Sequence, residues 1–134
     1  MARYLLDTNI LIAAINGMTV IRDRLQELQR SEIVLSPIVL GELITGVEKS
    51  QRLERNRSAL DAVVRHIDLL PMDQRTAEHY GQIRAELEHK GTIIGANDLW
   101  IAAQTRAHDL VLVSNNTREF QRVPNLKLED WLSP

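Results

Sequence analysis

The 134-residue chain has no cysteine, which excludes disulfides, thiolate zinc sites and a cysteine nucleophile together. It has no apolar run near the ~20 residues of a membrane-spanning helix, so no membrane partner is expected. The opening Met1-Ala2-Arg3-Tyr4 carries no signal-peptide pattern, and a cytoplasmic location is expected. The glycines Gly41, Gly46, Gly81, Gly91 and Gly95 do not fall in Walker or dinucleotide-binding spacing. A Gly-x-Ser-x-Gly elbow is also missing. The four histidines, His66, His79, His89 and His108, form no i,i+4 pair or ligand cluster and read as surface or partly buried packing residues. An excess of one charge is lacking too. The net charge is −2, without the overall basic signature of nucleic-acid binding. However, 13 of the 16 basic residues are arginine, the better bidentate phosphate ligand. A GC-rich genome produces the same bias, so composition leaves the partner open.

What is present reads as one domain over residues 1–134, long enough to bury a core without staples. Short apolar strands are predicted at Arg3–Leu6, Ile33–Leu35, Asp68–Leu70, Leu110–Val113 and Leu126–Leu128. Between them lie helical patterns. Ile10–Asn16 has Thr8 or Asn9 as cap and Gly17 as stop, and a second helix runs from Thr19 to Arg30. Ser36-Pro37 is a strong start, an N-cap followed by proline at the first helical position. Leu60, Val63, Val64 and Ile67 mark a fourth helix. Ala77, Tyr80, Ile83 and Leu87 share a face between Arg75 and Lys90, ended by Gly91. The last helix starts at Gly95-Ala96-Asn97 and runs through His108. Alternating strands and helices imply an α/β fold, a mostly parallel sheet of about five strands flanked by helices. Ligands in such sheets bind outside the carboxyl ends of the strands.

Three carboxylates sit where a small or apolar residue would be easier to place. Asp7 ends Tyr4-Leu5-Leu6, Glu42 lies within Ile38–Ile44 between Gly41 and Leu43, and Asp98 opens Leu99-Trp100-Ile101-Ala102. Each has an ordinary explanation: Asp7 as a helix cap, Asp98 as a first-turn acid favoured by the macrodipole, Glu42 as part of a solvated face. Glycines Gly41 and Gly46 beside Glu42 cost about 1 kcal/mol each relative to alanine, which suggests a close approach to that helix. If the fold gathers the acids they repel, by roughly 4 kcal/mol for a pair about 4 Å apart at an effective dielectric near 20. A hard divalent cation with oxygen ligands relieves that repulsion and supports hydrolysis, most often of phosphodiesters.

The ordered motifs resemble those of PIN-domain ribonucleases. The match runs from Tyr4-Leu5-Leu6-Asp7-Thr8-Asn9-Ile10 to Ser36-Pro37-Ile38-Val39-Leu40-Gly41-Glu42-Leu43. It continues through Gly91-Thr92-Ile93-Ile94-Gly95-Ala96-Asn97-Asp98 and Val113-Ser114-Asn115-Asn116-Thr117-Arg118-Glu119-Phe120. Together these look like VapC, the toxin of VapBC toxin–antitoxin pairs. The resemblance implies a Mg2+-dependent endoribonuclease, with Mn2+ as a possible substitute, that cleaves RNA such as tRNA or rRNA. It also implies a VapB-like antitoxin covering the active site, a homodimer and higher hetero-oligomers with the antitoxin. By motif position Asp7, Glu42 and Asp98 are the catalytic and metal-binding acids, with Thr8, Asn9 and Ser114 in support. Many PIN domains carry a fourth acid two residues past that hydroxyl; here Asn116 stands there, and Glu119 is the nearby carboxylate that can replace it. The number of ions stays open.

Rival assignments remain. An aspartyl-nucleophile phosphohydrolase at Asp7 wants a second Asp where this chain has Asn9. A receiver-like domain places its acids at strand ends, whereas Glu42 and Asp98 fall on predicted helices. An inactive PIN-like binding module would not need the intact trio.

Overall fold

Short apolar strands need cover on both faces, and here they receive it. The computed structural model describes residues 2–133. In it β1 (Tyr4–Leu6), β2 (Ile33–Leu35), β3 (Asp68–Leu69), β4 (Val111–Val113) and β5 (Lys127–Glu129) form one sheet in the order β3-β2-β1-β4-β5. Every pairing is parallel. Parallel strands are joined by crossovers that lay helices over the sheet. Accordingly β2 and β4 are buried throughout, and the edge strands β3 and β5 are not.

Strand order fixes where a ligand can sit. From β1 the chain moves outward to β2 and β3, then returns past β1 to β4 and outward again to β5. The crossovers therefore diverge between β1 and β4, and the crevice beyond their carboxyl ends is the topological switch point. Asp7 follows β1 there, and Ser114-Asn115-Asn116 follows β4.

The helices are α1 (Thr8–Ile15), α2 (Thr19–Gln26), α3 (Pro37–Glu48), α4 (Leu53–Val64), α5 (Gln74–Lys90), α6 (Ala96–Ala107) and α7 (Thr117–Phe120). The Ser36 hydroxyl accepts the Ile38 amide at 3.2 Å, with Pro37 beside it at the helix start. Gly91 ends α5 at φ +68°, a conformation glycine adopts without a Cβ penalty. The sheet and helices close over Leu5, Ile10, Ile83, Ile101, Leu112 and Phe120, all without solvent exposure. Among the described residues no helix is long and apolar enough to cross a membrane.

Three local expectations need correction. The N-cap of α1 is Asp7, not Thr8 or Asn9: Asp7 Oδ1 accepts the Thr8 amide at 2.8 Å, while the Thr8 hydroxyl turns away to Glu42. Helix α2 stops at Gln26, short of Arg30. Arg30–Glu32 instead form a 3-10 turn closed by reciprocal Gln29 and Glu32 bonds. On α5 the buried position is Thr76 rather than Ala77, because the Thr76 amide and hydroxyl both bind the Asp73 carboxylate, at 2.9 and 2.8 Å.

Candidate active site

At the switch point lies an open, polar pocket of about 410 Å³. Asp7, Glu42 and Asp98 line it together with Thr8, Asn9, Asn115 and Asn116. The acids arrive on separate elements: Asp7 after β1, Glu42 as the sixth residue of α3, Asp98 as the third residue of α6. The sequence pattern puts Asp98 first or second in its helix; it lies one residue deeper, still within the first turn.

Asp7 is only 6% exposed. The buried Ser114 hydroxyl donates to Asp7 Oδ2 at 2.8 Å and accepts the Asn116 amide at 3.0 Å, tying the ends of β1 and β4 together. Burial pushes the Asp7 carboxyl above its usual range. The Ser114 and Thr8 donors oppose that, and the negative charge of Glu42 adds to it. Glu42 accepts the Thr8 hydroxyl at 2.7 Å, which fixes it at the rim of the same pocket. The glycines beside it do not admit another part of the chain. A Cβ at Gly41 or Gly46 would meet nothing within 4 Å, so this stretch of α3 faces open space.

Asp98 carries the largest perturbation. Burial first, then a hydrogen bond with Glu119 and the charges of Asp7, Glu119 and Glu42, push its carboxyl up to about 7. A first-turn acid stabilised by its helix dipole would shift the other way. The dipole is outweighed by burial and like charge. Glu119 is held below its usual range by Asn116 and by Asp98, so the shared proton resides on Asp98. Asn116 Nδ2 donates to Glu119 Oε2 at 2.8 Å and lies 3.5 Å from Asp98 Oδ2. Glu119 thus stands behind Asp98 and Asn116, outside the pocket wall.

Asn115 lines the pocket as well. Sequence reasoning does not single it out, although a polar Ser114-Asn115-Asn116 run at the end of a buried strand is its signal. Among the described residues that line the pocket, none is histidine or lysine. The donors are oxygen: carboxylates, a hydroxyl and amide carbonyls. That set suits Mg2+ or Mn2+ and does not suit a soft metal. In this geometry no three acidic or histidine side chains among the described residues close on one point as a finished ion site. The acids ring a space and leave it open.

Comparison with known proteins shows the family. The PIN domain model matches residues 4–126. The tRNA(fMet)-specific endonuclease VapC of Shigella flexneri is 45% identical over 132 residues, covering 98% of this chain and 99% of that one. The chain belongs to the VapC family of PIN-domain ribonuclease toxins. DNA-bound VapBC from Salmonella typhimurium superposes with a TM-score of 0.91 at 42% identity, over 98% of this chain and 99% of that one. VapBC2 from Rickettsia felis, bound to a promoter DNA fragment, gives 0.90 at 43% identity, over 96% and 98%. Membership in the VapC family removes the receiver-like and aspartyl-phosphohydrolase alternatives.

Proposed function

We propose that this VapC-family chain is a divalent-metal-dependent endoribonuclease acting on tRNA, with Asp7, Glu42 and Asp98 as its working acids and residues 1–134 as one catalytic unit. The observation that carries this is the convergence of three mutually repelling acids, from the end of β1, from α3 and from α6, on one open pocket. Such an arrangement is costly in the absence of a cation.

Asp7 and Asp98 would hold one Mg2+, or Mn2+ in its place, with Glu42 and Asn116 completing the oxygen set. When bound, the ion polarises the scissile phosphate and lowers the pKa of an attacking water. Asp98, whose proton is held chiefly by burial, would release it on binding a cation. Ser114 keeps the Asp7 carboxylate oriented through its 2.8 Å bond, and Thr8 does the same for Glu42 at 2.7 Å. With no histidine or lysine among the lining residues, no side-chain base is assigned. The products carry a 5′-phosphate and a 3′-hydroxyl.

The partner we assign is a VapB-like antitoxin, since similar chains have been solved as VapBC complexes. A groove of about 580 Å³ between α1, α2 and α4, with Leu25, Leu28, Ile33 and Val63 in its lining, offers anchors for apolar side chains of such a partner. A cation from the antitoxin would neutralise the acids and block the RNA path at once. A homodimer, joined into higher hetero-oligomers with the antitoxin, and a cytoplasmic setting belong to the same proposal. Sequencing RNA 5′ ends after induction tests the substrate. New ends should concentrate at one position in one tRNA; ends spread across messenger RNA, or none, would overturn the assignment.

A further inference from the structure

Beside the acid pocket, and sharing Glu42 with it, runs a second cleft of about 250 Å³ between α1, α3 and α4. Its floor is apolar: Leu43, Val47 and Leu60 are buried there, and Ile12, 41% exposed, forms a wall. Its polar lining residues are Asn16, Asn56 and the shared Glu42. The side-chain hydrogen bonds of α1, α2 and α4 among the described residues are made by others: Thr8 onto Glu42, Arg22 onto the Ala14 and Ile15 carbonyls, and Arg57 onto Asp61. Neither the exposed Asn16 nor the half-buried Asn56 side chain is hydrogen-bonded among the described residues, so both amides are accessible to a ligand.

The surrounding charge is unusual for a chain of net charge −2. The stretch from Lys49 to Arg65 holds Lys49, Arg52, Arg55, Arg57 and Arg65 against Glu54 and Asp61. Of these bases, Arg57 is the one in an ion pair among the described residues, with Asp61 at 3.1 Å. Arg52 precedes Asn56 by four residues at the start of α4, so the two share a face.

We propose that this cleft seats the nucleobase adjoining the scissile phosphate, read along its edge by Asn16 and Asn56, with Lys49 and Arg52 taking the neighbouring phosphate. The proposal rests on the ribonuclease assignment above. A phosphate at the acids puts the next nucleoside beside Glu42, where the cleft begins. Pockets for drug-sized ligands start near roughly 300 Å³, so this one suits a single planar base. RNA is read largely through unstacked bases laid against side chains and hydrogen-bonded at their edges. An asparagine amide offers both a donor and an acceptor for that purpose.

Two variants test it. Gly46→Leu fills the cleft from α3, where an added Cβ meets nothing within 4 Å, and replacing a helical glycine favours the fold. Asn56→Ala removes an edge contact and leaves the walls. Each nucleoside 5′-monophosphate is titrated into the metal-free protein while the Asn16 and Asn56 side-chain amide resonances are followed by NMR. One base should shift both amides saturably and more tightly than the others, and Gly46→Leu should abolish the shift. On RNA, both variants should raise KM about tenfold or more with kcat little changed, and should lose the base preference next to the cut. Unchanged KM and preference in both variants, with silent amides, would overturn the subsite and leave the ribonuclease standing. Amide shifts with no cleavage of any RNA would sink the ribonuclease and leave a nucleotide site. Amides that respond to an antitoxin peptide but to no nucleotide would also overturn the proposal.

Discussion

Replacing Asp98 by asparagine should stabilise the metal-free protein above neutral pH, against the usual direction for losing a half-buried polar group. Its carboxyl stands at about 7 against an ordinary 3.8. That gap would correspond to about 4 kcal/mol for a fully shielded group. Asp98 is partly exposed, and solvent screening reduces the figure to about 1–2 kcal/mol. The sign follows from proton linkage. A raised acid holds its proton in the folded state where the unfolded chain has released it, so stability falls as pH climbs from 3.8 toward about 7. The neutral amide of the Asp98→Asn variant would carry no such penalty, although it forfeits up to about 1 kcal/mol of favourable dipole interaction. The net expectation with EDTA near pH 8 is a melting temperature higher by a few degrees, about 2–5 °C for a domain of this size. Thermal scans from about pH 4 to pH 8 should show the gain shrinking as the pH falls and vanishing near pH 4. Mg2+ should reverse the ranking, because the native chain gains more from the ion. A variant destabilised at pH 8 without metal would refute the repulsion and restore Asp98 to a helix-start role.

Ser114→Ala should cost about 1.5–3 kcal/mol, read as a lower urea midpoint, because it strips a donor from the buried Asp7 carboxylate; an unchanged midpoint would contradict that. Asn116→Asp should tighten Mn2+ binding in isothermal titration by adding a charge to the pocket, and Glu119→Gln should have a modest effect. If Glu119→Gln weakens binding as much as Asp98→Asn, Glu119 is itself a ligand. At the far side of the fold, Thr76 and His108 hold the Asp73 carboxyl down at about 2. A depressed acid contributes stability present above 3.8 and lost as pH falls toward 2, so Asp73→Asn should flatten that acid limb.

Much of this was legible in the residues. Tyr4-Leu5-Leu6 ending in Asp7, Ser36-Pro37 and Gly91 are local signals, where burial, capping and backbone conformation act within a few positions, and each reappears in the fold. The convergence of Asp7, Glu42 and Asp98 followed from motif order and from ligand placement in parallel sheets. What stayed hidden depends on distances between elements. Thr8 has the chemistry of a cap, but its hydroxyl is claimed by Glu42, a residue of another helix. The proton held on Asp98 depends first on burial and then on the approach of α7, a helix too short to show a period in sequence. Helix α2 ends early although Leu28 continues its apolar pattern. The openness above Gly41 and Gly46 is likewise a tertiary fact; the sequence marked the glycines but not what they face.

The most direct measurement is cleavage of a tRNA pool by the purified chain as Mn2+ is titrated in from EDTA, with Asp7→Asn alongside. Cleavage should be absent in EDTA, rise with the ion, and be absent from a folded Asp7→Asn protein. Cleavage in EDTA, or a variant as active as the native chain, would contradict the proposed function.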